Sequence, residues 1–67
     1  MQKYNIEIGV DIKRRDKRIT VCAHFVRRGY TAQEAFAKAK LKAIKYQRQK
    51  ILPCGELQFI DAWEIDD

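Results

Sequence analysis

The chain has 67 residues, of which 14 are Lys or Arg and nine Asp or Glu, for a net charge of +5. This length supports one small basic domain over residues 1–67 with a single modest core, and leaves little room for a buried enzyme pocket. Apolar runs are short and Met1-Gln2-Lys3 leads straight into a strand pattern, which predicts neither a signal peptide nor a transmembrane helix, and so a soluble cytoplasmic protein with no membrane partner.

The first element shows as a strict alternation in which Tyr4, Ile6, Ile8, Val10 and Ile12 are set against Lys3, Asn5, Glu7, Gly9 and Asp11. Period two over this length predicts a strand from about Lys3 to Lys13 with one buried and one open face. Its mirror follows from about Arg18 to Arg27. Arg14, Arg15, Asp16 and Lys17 connect the two. Because Arg-Asp lacks the Gly or Asn that two-residue hairpin turns favour, a four-residue loop on a type I turn is expected. That loop sets Ile12 opposite Ile19, Val10 opposite Val21, Ile8 opposite Ala23 and Ile6 opposite Phe25, all on the inner face. A slip of one residue would expose the whole set.

Arg27-Arg28-Gly29-Tyr30 closes the hairpin, and Thr31-Ala32-Gln33-Glu34 is a capping box that starts a helix. Ala, Lys, Gln and Leu carry the helix to about Gln49, with Pro53 just beyond. Ala32, Ala35, Phe36, Ala39, Ala43 and Tyr46 share its sheet-facing side, where the alanines allow close approach. Ala37, Leu41 and Ile44 form a second apolar stripe, expected as the margin of a broad buried face rather than as an exposed contact surface.

Residues 51–55 turn the chain into a last strand from about Glu56 to Ile65, whose alternation reads Leu57, Phe59, Asp61, Trp63, Ile65. Asp61 interrupts that apolar face, so it either reaches water at an edge or marks a bulge. A right-handed crossover lays this strand parallel to the second and antiparallel beside the first. The predicted fold class is α+β: ββαβ, a three-stranded antiparallel sheet in order 2-1-3 with one helix packed on one face. The open face then carries Cys22, Val26, Ile60 and Ala62 among polar neighbours, a surface suited to a homodimer or a protein partner.

Cys22 and His24 share that open face, with Glu7 opposite His24. No second Cys or His pair completes a tetrahedral set, so no metal and no cofactor is expected. An open sheet gives a Cys-His pair neither a pocket nor oxyanion donors, so no catalytic residues are expected and the chain reads as a non-enzyme. Glu7 and His24 are then a cross-strand pair. Cys22 and Cys54 belong to opposite sides of the sheet and are expected as free thiols. Tyr4, Phe25, Phe59 and Trp63 are expected on the inner face against Phe36 and Tyr46, which leaves no platform for stacking single-stranded bases.

Charge is the strongest functional signal. Residues 1–55 hold all 14 bases against four acids, while residues 56–67 hold five acids and no base. Such asymmetry points to an electropositive surface for nucleic acid or for an acidic partner. The densest cluster is Lys13, Arg14, Arg15, Lys17 and Arg18 at the hairpin tip, where bases reach phosphates without steric conflict. Arg27 and Arg28 lie at the opposite end of the same sheet, and Lys38, Lys42 and Lys45 line one outward side of the helix without acid partners to offset their repulsion.

The stretch Arg28-Gly29-Tyr30-Thr31-Ala32-Gln33-Glu34-Ala35 resembles the strand-to-helix step of the small arm-site DNA-binding domains of phage-type recombinases. That resemblance covers about eight residues and carries over no functional residue; here an acidic strand follows the helix. Two readings stand side by side. In the first, a small basic module holds nucleic-acid phosphates through the hairpin tip and outer helix face. In the second, a phage or mobile-element protein inhibits a host protein or nucleoprotein complex by binding it, in the manner of an anti-defence or anti-CRISPR-like inhibitor.

Overall fold

Four elements follow in chain order: β1 (Gln2–Arg14), β2 (Lys17–Gly29), α1 (Ala32–Arg48) and β3 (Glu56–Ile65). The structure is a computed structural model describing residues 1–65; Asp66 and Asp67 of the acidic end lie outside the described residues. The fold is α+β, with a three-stranded antiparallel sheet in the order β2-β1-β3 and the helix on one face. β1 is central because it carries the most regular apolar row, and Ile6, Ile8 and Val10 on that row are fully buried. Tyr4, Phe25 and the three alanines Ala35, Ala39 and Ala43 complete the buried core.

The β1–β2 register places Ile6 on Phe25, Ile8 on Ala23, Val10 on Val21 and Ile12 on Ile19. The connection is tighter than the four-residue loop expected from the sequence. Arg14 pairs with Lys17, leaving Arg15-Asp16 as a two-residue turn. Arg15 adopts φ 52, the sign that the first central position of a type II′ turn requires, and Gly would ordinarily supply it. Continuous pairing outweighs the local cost of a left-handed arginine, which is about 1–2 kcal/mol.

On the other side, β1 meets β3 with a shift between Glu7 and Ile8: Ile8 pairs with Phe59, whereas Glu7 pairs with Asp61. Ile60 is the extra residue of a bulge, so the phase of β3 flips there. Leu57 and Phe59 lie on the helix side with Val10 and Ile8, but beyond the bulge Ala62 and Glu64 take that side. Asp61, Trp63 and Ile65 therefore face outward, which corrects the expectation that they share the inner face with Leu57; Ala62 likewise belongs to the core side and not to the open face. The bulge that Asp61 hinted at is thus present one residue earlier.

Thr31 caps α1, its hydroxyl accepting from the Glu34 N–H at 3.1 Å. The Glu34 carboxylate turns to Lys38 Nζ at 3.7 Å. At the other end Lys50 donates to the Gln47 carbonyl and Ile51 to that of Tyr46, with Lys50 at φ 60. This is the Schellman arrangement, in a position that usually holds Gly. Gln47 Nε2 then donates to the carbonyls of Pro53 and Gly55, both at 3.1 Å, and ties down the turn into β3. The second helix stripe is not a buried margin: Leu41 is 69% exposed and Ala37 also lies in solvent, with Ile44 half-buried. The three-stranded sheet is too narrow to cover more than one side of the helix.

Two glycines make opposite predictions. A Cβ at Gly55 would fall on the Asp11 carbonyl oxygen, backbone against backbone. Gly55→Ala should therefore push the start of β3 off β1 and cost about 3 kcal/mol, the upper end for overpacking, or a Tm loss of about 12 °C or more. At Gly9 the added atom meets the ends of the Ile60 and Thr20 side chains, which can turn away. Gly9→Ala should cost less than about 1 kcal/mol in the same thermal melts. Cys22 and Cys54 are both free and exposed, so thiol titration of the native, unreduced protein should find two reactive groups per chain.

Candidate nucleic-acid interface

β3 pairs with β1 only from Lys3 to Asp11, whereas β1 and β2 stay paired to Arg14 and Lys17. The hairpin thus outruns the rest of the sheet as a two-stranded ribbon. At about 3.3 Å per residue it projects roughly 10 Å beyond the last β3 partner. The molecule measures 42 × 21 × 16 Å, and its radius of gyration is 12.6 Å, against about 11 Å for a compact chain of this length.

Alternation distributes the ribbon's bases over both faces. Arg14 and Lys17 follow the parity of Ile12 and Ile19 and share the helix side, where they line an open concavity with Arg15, Asp16 and Ile19. Lys13 and Arg18 form the neighbouring cross-strand pair and point the other way. Arg15 stands at the apex with Asp16. All five bases are exposed, and among the described residues none of them forms an ion pair or side-chain hydrogen bond. Two adjacent cationic pairs held this way repel one another; Asp16 at the apex and Asp11 and Glu56 beside Lys13 and Arg18 offset part of that repulsion, and an anion from outside the chain would offset more.

The remaining expected site residues are placed differently. Arg27 lies opposite Tyr4 on the helix side, half-buried, and its Nη1 donates to the Val26 carbonyl at 2.6 Å. Lys38 donates to the Arg28 carbonyl at 2.8 Å and pairs with Glu34. Lys42 Nζ lies 5.2 Å from the centroid of the Tyr46 ring, a cation–π contact. The expectation that these lysines lack acid partners is therefore corrected for Lys38, which pairs with Glu34 and also ties the helix to β2 through the Arg28 carbonyl, whereas the contact of Lys42 is with an uncharged ring of the same helix. Lys45 is exposed in the last helical turn, where a cation also suits the helix dipole. Arg28 lies on the open face at the far end of β2 from the tip.

The sheet's two edges are opposite in charge. β2 carries Lys17, Arg18, Arg27 and Arg28 with no acid, and β3 carries Glu56, Asp61 and Glu64 with no base. On the open face, Asp11 and Glu56 pair at the root of the ribbon, and Asp11 Oδ1 accepts from the Thr20 hydroxyl at 2.9 Å. Further back Glu7 and Asp61 are opposite each other, with His24 Nε2 3.4 Å from Glu7 Oε2. Trp63, expected in the core, instead meets His24 edge-on with centroids 6.1 Å apart. The consecutive apolar residues Phe59-Ile60 just before Asp61 were the signal for that phase change. Acids around Trp63 make it a poor surface for stacking nucleic-acid bases.

No cluster of three metal-binding side chains occurs among the described residues, and no helix among them is long and apolar enough to cross a membrane. No protein-family model matches this chain, nor does any curated protein or solved structure.

Proposed function

We propose that this protein is a small non-catalytic module that binds nucleic-acid phosphates through its projecting basic ribbon. The observation that carries this reading is the ribbon itself: five bases at the end of the molecule, none with an ion-pair or hydrogen-bond partner among the described residues. Lys45 and the other outward helix bases add long-range attraction without being needed at the contact. The acidic β3 edge and the acids of the open face direct the ligand to the ribbon and away from the sheet.

Titration of generic DNA and RNA at two salt concentrations tests the proposal. If the five bases neutralise about five phosphates, log K falls against log salt with a slope of about −4 to −5, or several hundred-fold between 50 and 200 mM. The second reading, inhibition of a host protein or nucleoprotein complex by binding it, draws support from Val26, Ile60 and Trp63, which are 42–44% exposed on the open face. Absence of nucleic-acid binding at low salt, together with capture of a protein from nuclease-treated lysate through that face, would favour it.

A further inference from the structure

Resting on the phosphate-binding reading, we infer that the ribbon enters the major groove of B-form DNA end-on, between two walls of phosphate. The ribbon carries positive charge on both of its faces. A ribbon lying along a single strand, or flat on a backbone, needs bases on one face only. Here Arg14 and Lys17 occupy one face and Lys13 and Arg18 the other, which matches a ligand presenting anions on both sides at once. A groove does that, its two sides being the phosphate rows of the two strands.

Size selects the groove. A sheet layer with side chains on both faces is about 10 Å thick. That fits the B-DNA major groove, about 12 Å wide, and is excluded from the minor groove at about 6 Å. The projection of roughly 10 Å beyond Asp11 is comparable with the groove depth of about 8.5 Å. Double-stranded RNA is a poor fit, because its major groove is deep and too narrow for side chains to read.

Acids set the orientation. Asp11 and Glu56 at the ribbon root, and Glu7 and Asp61 behind them, repel a backbone laid along the open face, so approach is by the tip. Asp16 is the one acid on the ribbon, and it sits at the apex. In a groove the apex lies over the base edges and away from both phosphate walls, where the cytosine amino group is a donor for a carboxylate and guanine accepts from a guanidinium such as that of Arg15.

The test compares a mixed-sequence DNA duplex, its single strands and the RNA duplex of the same sequence by fluorescence anisotropy. Two paired variants are included, Lys13→Ser with Arg18→Ser and Arg14→Ser with Lys17→Ser. The expected result is at least tenfold preference for duplex DNA, competition by the major-groove ligand methyl green but not by the minor-groove ligand netropsin, and a salt slope lowered by about 2 in each paired variant. Equal affinity for all three nucleic acids, displacement by netropsin alone, or loss of slope in only one pair would overturn groove insertion while leaving phosphate binding intact. No affinity for any of them at low salt would overturn the phosphate-binding reading itself, and groove insertion with it.

Discussion

Ile8→Asp should abolish folding at neutral pH. Ile8 has no solvent exposure, sits at the middle of the central strand, and is flanked on its own face by Ala23 on β2 and Phe59 on β3. The substitution removes a buried aliphatic group, a loss of about 2–5 kcal/mol for truncations of this kind. It also places a carboxyl where every neighbour is apolar, and an unpaired charge there costs several kcal/mol more. A chain of 67 residues has a total stability of roughly 3–10 kcal/mol by the usual per-residue range, so the sum exceeds what the fold can absorb. Far-UV circular dichroism and amide dispersion in NMR would read the loss directly. Glu7→Gln, one residue earlier and on the open face, is the control: it removes one partner of a half-exposed pair with His24 and should change stability by less than about 1 kcal/mol. If Ile8→Asp remained folded, β1 would not be the central strand.

The control works because the two faces of β1 differ so sharply, and that difference was the part of the fold most legible in the sequence. Five apolar residues at period two exclude a one-residue slip against Val21, Ala23 and Phe25, and the short connection excludes larger ones. The turn was less legible for the same reason. Arg15-Asp16 has poor turn chemistry, but thirteen paired residues on each strand outweigh one strained φ, so tertiary pairing decided what local preference disfavoured. β3 was harder still. It is an edge strand held by β1 alone, and a single extra residue at Ile60 moved Trp63 from the expected core to the open face. Its sequence contains the signal, two adjacent apolar residues followed by Asp61, yet a bulge and an edge exposure of Asp61 look alike until the partner strand is in place.

For the candidate site, the density of bases at the tip was readable, and so was its projection from the body. What sequence could not separate was free charge from engaged charge. Lys38 and Lys42 fall on the same helix flank as Lys45, but a backbone carbonyl of Arg28 on β2 takes the first and the ring of Tyr46, one turn along the helix, takes the second. Such partners are distant in sequence or not charged, so a count of acids and bases does not find them. The pair Glu34–Lys38 is local, at i,i+4, and its spacing was open to view in the sequence although the expectation was that these lysines lack acid partners.

At the apex, stability and binding should move in opposite directions. Arg15 holds φ 52, a conformation that glycine adopts without the penalty an arginine meets there, so Arg15→Gly should stabilise the hairpin by about 0.5–1 kcal/mol after allowing for glycine's greater freedom in the unfolded chain. For a domain of this size that is a Tm rise of about 2–8 °C. Combined with Arg14→Ser, the same change removes two of the five unpartnered bases on the ribbon. The salt slope of duplex binding should fall by about 2, and the affinity at low salt by about 10²-fold, with the gap to the unaltered protein narrowing as salt is raised. A strained residue kept at a site where relief would cost ligand contact is the pattern expected of a functional position. Thermal melts and salt titrations on the one protein sample decide the matter: a Tm that rises while affinity falls assigns Arg14 and Arg15 to phosphate contact, whereas an unchanged affinity and slope would remove the ribbon tip from the binding surface.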